Sequence, residues 1–401
     1  MATGVDDERR RRTGTTAGRR SGAYGCARAA LNQAEGHVVR EIQLGGMGGG
    51  GGPGGGGGIG GVDGIGGVGA RPAAQRPETI AAAATPAHPA RAAVLGAPVD
   101  HSLSPVLHTA AYAELGLAVT YTAIHCTASD LPEMVDRVRS DPDWVGLSLT
   151  MPLKTVALDL LDEVDPTAAA IGAVNTVVVG EAGRLRGYNT DVVGIGVALR
   201  RVMRGAVPGQ PLVLGAGGTA RAAVAAVAAA GCPHVAVVAR RPEAIAEVAQ
   251  IGARLGIEVT ALPWELLATG LPTGPDLVIA TTPAGATDSL ATRRWPMSSQ
   301  LVELLYHPWP TALAAAAYRA GARVASGLEI LAAQAVGQVE HFTGRRVPAG
   351  VLLTAGQAAL DERTSSAPSA GSEAHRAGPT SRSAGPTGTV PAAPSPGPTG
   401  V

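Results

Sequence analysis

PLVLGAGGTARAAVAAVAAA, residues 211–230, decides the fold. Four residues of strand character, Pro211–Leu214, run directly into Gly215-Ala216-Gly217-Gly218-Thr219-Ala220, and an alanine-rich helix follows to Ala230. A G-x-G-x-x-G/A turn between a strand and a helix is the arrangement that binds a dinucleotide. The glycines let the backbone approach a pyrophosphate, and the free amides and positive dipole end of the helix favour its charge. Gly-Ala strings also arise by composition in a chain with 56 glycines, so the placement carries the reading rather than the string.

The next strand, His234–Val238, ends in Ala239-Arg240-Arg241. A site for NAD usually has an acid there for the ribose 2′-hydroxyl, whereas arginine suits a 2′-phosphate. NADP is therefore the expected cofactor, although two arginines also suit the solvated start of a helix.

Upstream, short apolar runs alternate with helical ones: Ala92–Leu95 and a helix near Pro105–Leu115, Val119–Ile124 and Leu131–Arg139, Val145–Leu149 and Thr155–Glu163. That alternation predicts βαβ units on a mostly parallel sheet. The fold class is α/β, and the folded part, roughly residues 90–362, has the size of two domains. Flanking segments are expected to be disordered. Residues 45–69 are mostly glycine, with too few side chains to offset the entropy of ordering them. The tail from about Thr364 is Ser, Pro, Gly, Ala and Thr without apolar periodicity. Residues 1–44 carry an arginine cluster and one weakly helical stretch, Ala27–Leu44, and the arginines are not followed by the apolar core of an export signal.

Formal net charge is zero, which excludes the overall electrostatic signature of a nucleic-acid binder. Cys26, Cys126 and Cys232 are odd in number and widely spaced, fitting neither a disulfide framework nor a zinc site, so no metal is expected. No apolar run is long enough to span a bilayer. The expectation is a soluble cytoplasmic protein with a small-molecule substrate, a monomer or homodimer, with no nucleic-acid or membrane partner.

Of 32 basic residues one is lysine, Lys154. Whatever bias shaped this composition replaced lysine wherever a generic positive charge would serve. An ammonium can release a proton at accessible pH, whereas a guanidinium does not, so the exception points to proton chemistry, with chance survival on a solvated surface as the plain alternative. Asparagine is nearly as rare: of Asn32, Asn175 and Asn189, two lie in Gly172-Ala173-Val174-Asn175-Thr176 and Gly187-Tyr188-Asn189-Thr190-Asp191. Such groups beside glycines fix hydroxylated ligands, and they also make turns. In His101-Ser102-Leu103-Ser104-Pro105, two hydroxyls precede a helix, where they serve as caps or hold a carboxylate.

Taken in order, His101–Pro105, Gly146-Leu147-Ser148-Leu149-Thr150-Met151-Pro152-Leu153-Lys154, Gly172–Thr176, Gly187–Asp191, Gly215–Ala220 and Gly327-Leu328-Glu329-Ile330-Leu331-Ala332-Ala333-Gln334 resemble the shikimate dehydrogenase family over roughly residues 92–362. The resemblance implies NADPH-dependent reduction of 3-dehydroshikimate to shikimate. It implies an N-terminal α/β substrate-binding domain, 90–195 completed by 325–362, and a Rossmann-type NADP-binding domain, 196–324, between extensions 1–89 and 363–401. Lys154 and Asp191 would be the catalytic pair. Ser102 and Ser104 would bind the substrate carboxylate, with Thr150 and Tyr306 nearby, and Asn175 and Gln334 would hold ring hydroxyls. Gly215, Ala216, Gly217, Gly218, Thr219, Ala220, Arg240 and Arg241 would hold the cofactor, and Gly327 would approach its nicotinamide.

Three positions depart from the family's pattern. Ser148 stands where asparagine is common, Ala239-Arg240-Arg241 replaces Asn-Arg-Thr, and Glu303 replaces an aspartate. The first implies a contact that is lost or bridged by water. Relatives acting on quinate or an amino analogue share the pattern, although quinate users commonly alter the second serine, and Ser104 is intact. A non-catalytic binder is the reading from another class; it would be expected to have lost Lys154 or Asp191.

Overall fold

The computed structural model describes residues 89–271 and 274–366. The expected N-terminal extension, its helix at Ala27–Leu44 and the tail beyond Ser366 lie outside the described residues. Strand β1, Ala90–Gly96, is followed by helix α1, Ser104–Glu114, then β2, Val119–His125, α2, Leu131–Ser140, and β3, Trp144–Leu149. These strands and helices agree with the sequence reading to within two residues. β1 lies between β2 and β3 and is parallel to both, with Ala92 beside Tyr121 and Val94 beside Ser148.

The helix expected over Thr155–Glu163 is broken. Helix α3 is a single turn, Leu153–Val156, followed by a 3₁₀ turn, Ala157–Leu160, and by the short strand β4, Glu163–Val164. The Asp162 carboxylate accepts from the Leu185 amide at 2.7 Å and from Arg139 at 2.6 Å, which ties the chain to a neighbouring strand before another helical turn forms. Helix α4, Pro166–Ile171, starts at Asp165, whose side chain accepts from the Thr167 and Ala168 amides.

Strands β5, Thr176–Val179, and β6, Leu185–Tyr188, complete the first sheet in the order β2-β1-β3-β5-β6-β4. β5 runs antiparallel to both of its neighbours, β3 and β6, so this sheet is mixed where a mostly parallel one was expected. The connection from β5 to β6 is too short for the crossover that parallel neighbours require.

Helix α5, Asp191–Met203, leads to the second sheet: β7, Pro211–Leu214; α6, Gly218–Ala229; β8, His234–Ala239; α7, Pro242–Leu255; β9, Glu258–Pro263; β10, Leu277–Ala280; β11, Gln300–Glu303; α8, Ala312–Arg319; β12, Val324–Ala325. Its order is β12-β11-β10-β7-β8-β9 and every pair is parallel, as the sequence predicts. Because such a sheet is covered on both faces, its strands read as continuous apolar runs, and Pro211–Leu214 and Leu277–Ala280 are buried throughout.

Helices α9, Gly327–Thr343, and α10, Ala349–Ser366, end the described chain. Residues 363–366, expected in the tail, are helical. α5 and α9 pack against each other and serve both cores: Ile195 and Ile330 join the apolar cluster of the second sheet, whereas Val197 and Ala332 join that of the first. Most of the functional blocks quoted above therefore sit at the ends of strands near these two helices, or on the helices themselves. No helix among the described residues is long and apolar enough to cross a membrane.

Candidate active site

Two loops converge from the first sheet. The chain leaves β3 through Thr150, whose amide donates to Leu95 O at 2.9 Å and whose methyl packs against Gly96, and reaches α3 with Lys154. The Lys154 carbonyl accepts from the Val174 amide at 2.7 Å, fixing α3 to the loop that carries Asn175. After β6, Asn189 donates to Ala173 O at 2.9 Å and accepts from the Asp191 amide at 3.1 Å. Both ends of the Asn189 side chain are thus spent on shaping the turn that starts α5, and its role here is turn chemistry.

These loops place Lys154 Nζ 2.5 Å from Asp191 Oδ2, with the two side chains only 15% and 12% exposed. A pair so enclosed is held by mutual neutralisation, because either charge alone would be poorly solvated. The other carboxylate oxygen, Asp191 Oδ1, accepts from Asn175 Nδ2 at 2.8 Å. The ammonium also reaches Thr219 Oγ1 at 3.5 Å, in the glycine-rich turn of the second sheet. Among the described residues two of its three donors are engaged.

Asn175 is the hub of this network. Its amide also donates to Thr190 Oγ1 at 3.0 Å and Gln334 Oε1 at 3.2 Å, and its carbonyl accepts from the Thr190 amide at 2.8 Å and the Thr176 hydroxyl at 2.7 Å. Gln334 lies on α9. One turn further along, Gln338 donates to Asn175 O at 3.3 Å and Thr176 Oγ1 at 3.2 Å, and its carbonyl meets His108 Nε2 at 3.1 Å. Burial depresses His108 to about 4, so the ring is neutral at physiological pH. With Nε2–H donating to Gln338, Nδ1 must accept from the Tyr112 hydroxyl, 3.2 Å away.

At the start of α1, Ser102 Oγ accepts from the Ser104 amide at 3.2 Å, and neither serine caps the helix in the usual way. Tyr306 brings its hydroxyl to His101 O at 3.5 Å, so the tyrosine and both serines meet at one corner. Ser148 is buried and its hydroxyl accepts from Tyr121 at 2.7 Å, so the contact expected to be lost or water-bridged is made by a tyrosine.

Gly215 has φ +111°, and a Cβ there would lie 2.4 Å from Thr281 Oγ1, so glycine is required. Ala216 is half-buried, Ala220 is buried against the sheet, a Cβ on Gly217 would meet nothing within 4 Å, and Gly218 faces the Lys154 stem. The first amides of α6 receive no side-chain cap. An uncapped helix start beneath an open glycine turn fits a pyrophosphate.

Arg240 and Arg241 are exposed at the end of β8. The Arg240 guanidinium lies 5.6 Å from the Trp264 ring centre, beside a cavity of about 380 Å³ lined by Arg240, Pro242, Ile245, Leu262, Pro263 and Trp264. A flat apolar wall next to a guanidinium suits an adenine with its 2′-phosphate. Gly327 is buried, and a Cβ there would lie 2.3 Å from Leu304 O; its evident service is close packing under the segment that carries Tyr306.

That segment is pinned by Glu303, whose carboxyl accepts from the Leu305 amide at 3.3 Å and the Thr311 hydroxyl at 3.1 Å. Burial pushes Glu303 up to about 7. A carboxyl raised in the folded state contributes stability that is complete below its unfolded value, 4.5, and is lost as pH rises through about 7. The shift corresponds to roughly 3 kcal/mol. Glu303→Gln should therefore gain thermal stability relative to the unmodified protein between pH 5 and 8; melting curves whose difference stays flat over that range would contradict this.

Comparison with known proteins follows the same geometry. The family described as shikimate dehydrogenase substrate binding domain matches residues 94–177. A shikimate dehydrogenase (NADP(+)) of Moorella thermoacetica is 36% identical over 268 residues, 65% of this chain and 90% of the relative. The crystal structure of Mycobacterium tuberculosis shikimate dehydrogenase is similar at 40% identity and TM-score 0.59, covering 67% of this chain and 100% of that one. Shikimate 5-dehydrogenase from Thermus thermophilus, in complex with NADP(H) and shikimate, is similar at 33% identity and TM-score 0.57, covering 68% and 100%.

Proposed function

The chain belongs to the shikimate dehydrogenase family, and we propose that it catalyses the reversible reduction of 3-dehydroshikimate to shikimate with NADPH, in the pathway to chorismate and the aromatic amino acids. One observation carries this reading: the Lys154–Asp191 pair lies against the glycine-rich turn, with Lys154 Nζ 3.5 Å from Thr219 Oγ1. A proton donor is thereby held where a dinucleotide would bring its reducing end.

NADPH, when bound, supplies the hydride to the carbonyl carbon. As negative charge builds on the carbonyl oxygen, the Lys154 ammonium stabilises it and delivers the proton, completing the alcohol; in the reverse direction Lys154 takes that proton back. Asp191 keeps the ammonium aimed, and Asn175 and Gln334 hold the ring hydroxyls beside it. Ser102 and Ser104 hold the carboxylate, with Thr150 and Tyr306 near it. We read the first sheet with α9 and α10 as the substrate domain and the second sheet as the cofactor domain, in a cytoplasmic monomer or homodimer.

Arg240 is the ligand we assign to the 2′-phosphate. Arg240→Ala should raise KM for NADPH by about 10- to 100-fold, the range of one charge-assisted hydrogen bond, and leave KM for shikimate unchanged. An equal rise with NADH would place the arginine elsewhere. The reaction itself is tested by following nicotinamide reduction with shikimate or quinate, each with NADP or NAD. Shikimate with NADP should dominate; turnover of quinate alone would assign the chain to another branch of the family, and binding of shikimate without turnover would make it a binder.

A further inference from the structure

We propose that Tyr121 is a positioning residue for the substrate carboxylate, sharing one buried hydroxyl between Ser104 and Ser148. The inference rests on the reading of Ser102 and Ser104 as carboxylate ligands. Tyr121 is the buried member of an otherwise largely exposed strand, β2. Its ring stacks on His108, with centres 3.9 Å apart and planes inclined by 12°, and His108 is itself fixed by Tyr112 and Gln338. A ring clamped in this way leaves its hydroxyl one place to act. There it donates to Ser148 Oγ at 2.7 Å and interacts with the Ser104 side chain. Tyr121, Ser104 and Ser148 are 5%, 5% and 4% exposed, so water does not substitute for these partners.

The proton count then fixes what happens when an anion arrives. A carboxylate only accepts, and each serine has a single proton to donate. Ser104 gives its proton to the carboxylate and offers a lone pair to the Tyr121 hydroxyl, whose oxygen in turn accepts the proton of Ser148. Three hydroxyls rotate, no heavy atom moves, and each bond polarises the next, so Ser104 becomes a stronger donor than an isolated serine. Ser148 is left with free lone pairs towards the ring. The residue that stands at the family's asparagine position is in this way coupled to the carboxylate end of the site.

Steady-state kinetics of Tyr121→Phe test this. Phenylalanine keeps the ring and its stacking and removes the shared hydroxyl alone. KM for shikimate should rise about tenfold, with kcat within about twofold and KM for NADP unchanged. An analogue with a hydroxymethyl group in place of the carboxylate should be handled alike by Tyr121→Phe and the unmodified enzyme. Ser148→Ala should raise KM for shikimate on its own and add little in the Tyr121→Phe background, because the linkage is already broken. Unchanged KM, or an equal loss with the acid and the hydroxymethyl analogue, overturns the inference while leaving the family reaction in place. An unmodified enzyme that does not turn over shikimate overturns the parent reading, and this inference with it.

Discussion

Replacing Lys154 by alanine should lower kcat about 10³-fold while shikimate and NADP still bind within a few-fold of the unmodified enzyme, since a positioned general acid and charge stabiliser contributes on the order of 10² to 10⁴ in rate. The expectation follows from the place of the ammonium. Its aliphatic stem lies over Gly218 and its tip is shared between Asp191 and Thr219, so alanine removes a proton donor without removing a wall of the substrate site. The Lys154 main chain is anchored separately through the Val174 amide, so the turn keeps its shape. Asp191 loses its counter-charge in this variant, and a modest fall in melting temperature should accompany the kinetic loss. Stopped-flow measurement of nicotinamide reduction, with calorimetric titration of each ligand, separates chemistry from binding. A Lys154→Ala enzyme that keeps more than about a tenth of its rate would show that the proton comes from another group.

The second large effect is expected at Asn175. One amide group joins Asp191, Thr190 and Gln334 through its nitrogen, and Thr176 and the Thr190 backbone through its oxygen. Asn175→Ala strands these groups in a site that is almost wholly buried. Each unsatisfied buried partner costs about 1 to 3 kcal/mol, and several share the loss, so a destabilisation of roughly 3 to 5 kcal/mol is expected. For a protein of this size that corresponds to a fall in melting temperature of roughly 10 °C. The same change releases Asp191 from its second hydrogen bond, and kcat/KM for shikimate should fall about 100-fold. A variant that melts normally but loses activity would mean that the network orients substrate without supporting the fold; one that melts early with normal kcat/KM would mean the reverse.

What was legible in the sequence was what depends on local order. The strand, turn and helix of residues 211–230 needed no distant partner to be recognised, and neither did the isolation of Lys154 among 31 arginines. The glycine requirement at Gly215, by contrast, is set by Thr281, a residue that follows another strand. Helix α3 was drawn too long because the apolar spacing of Val156, Leu158, Leu160 and Leu161 suits a continuing helix; the break comes from Asp162 bonding to Arg139 and to the amide of Leu185, which no local window contains. The mixed order of the first sheet likewise arises from a short β5–β6 connection whose consequence is visible only once both strands are known.

The residues missed at the site share one property: their partners are remote. His108 and Gln338 meet across 230 positions, and each alone looks like an ordinary polar residue on a helix. Tyr121 reads as a strand aromatic until β2 is laid beside β1 and α1. Trp264 gains its meaning from the β8–β9 register, which pairs Ala239 with Pro263 and so brings the following residues, Arg240 and Trp264, side by side. The Glu303 departure was visible in the sequence, but its burial and its hold on the Tyr306 segment were not. Sequence order located the chemistry; the hydrogen-bonded support beneath it is a property of the packed chain.

The central claim, that Lys154 acts by giving and taking a proton and not by its charge alone, is tested most directly by the rate of NADP reduction by shikimate in the Lys154→Arg enzyme. Arginine keeps the positive charge that Asp191 requires and does not release a proton. The account predicts a rate within about tenfold of that of Lys154→Ala, with shikimate still bound. An arginine variant that retains about a tenth or more of the unmodified rate would contradict it, and would assign Lys154 an electrostatic role alone.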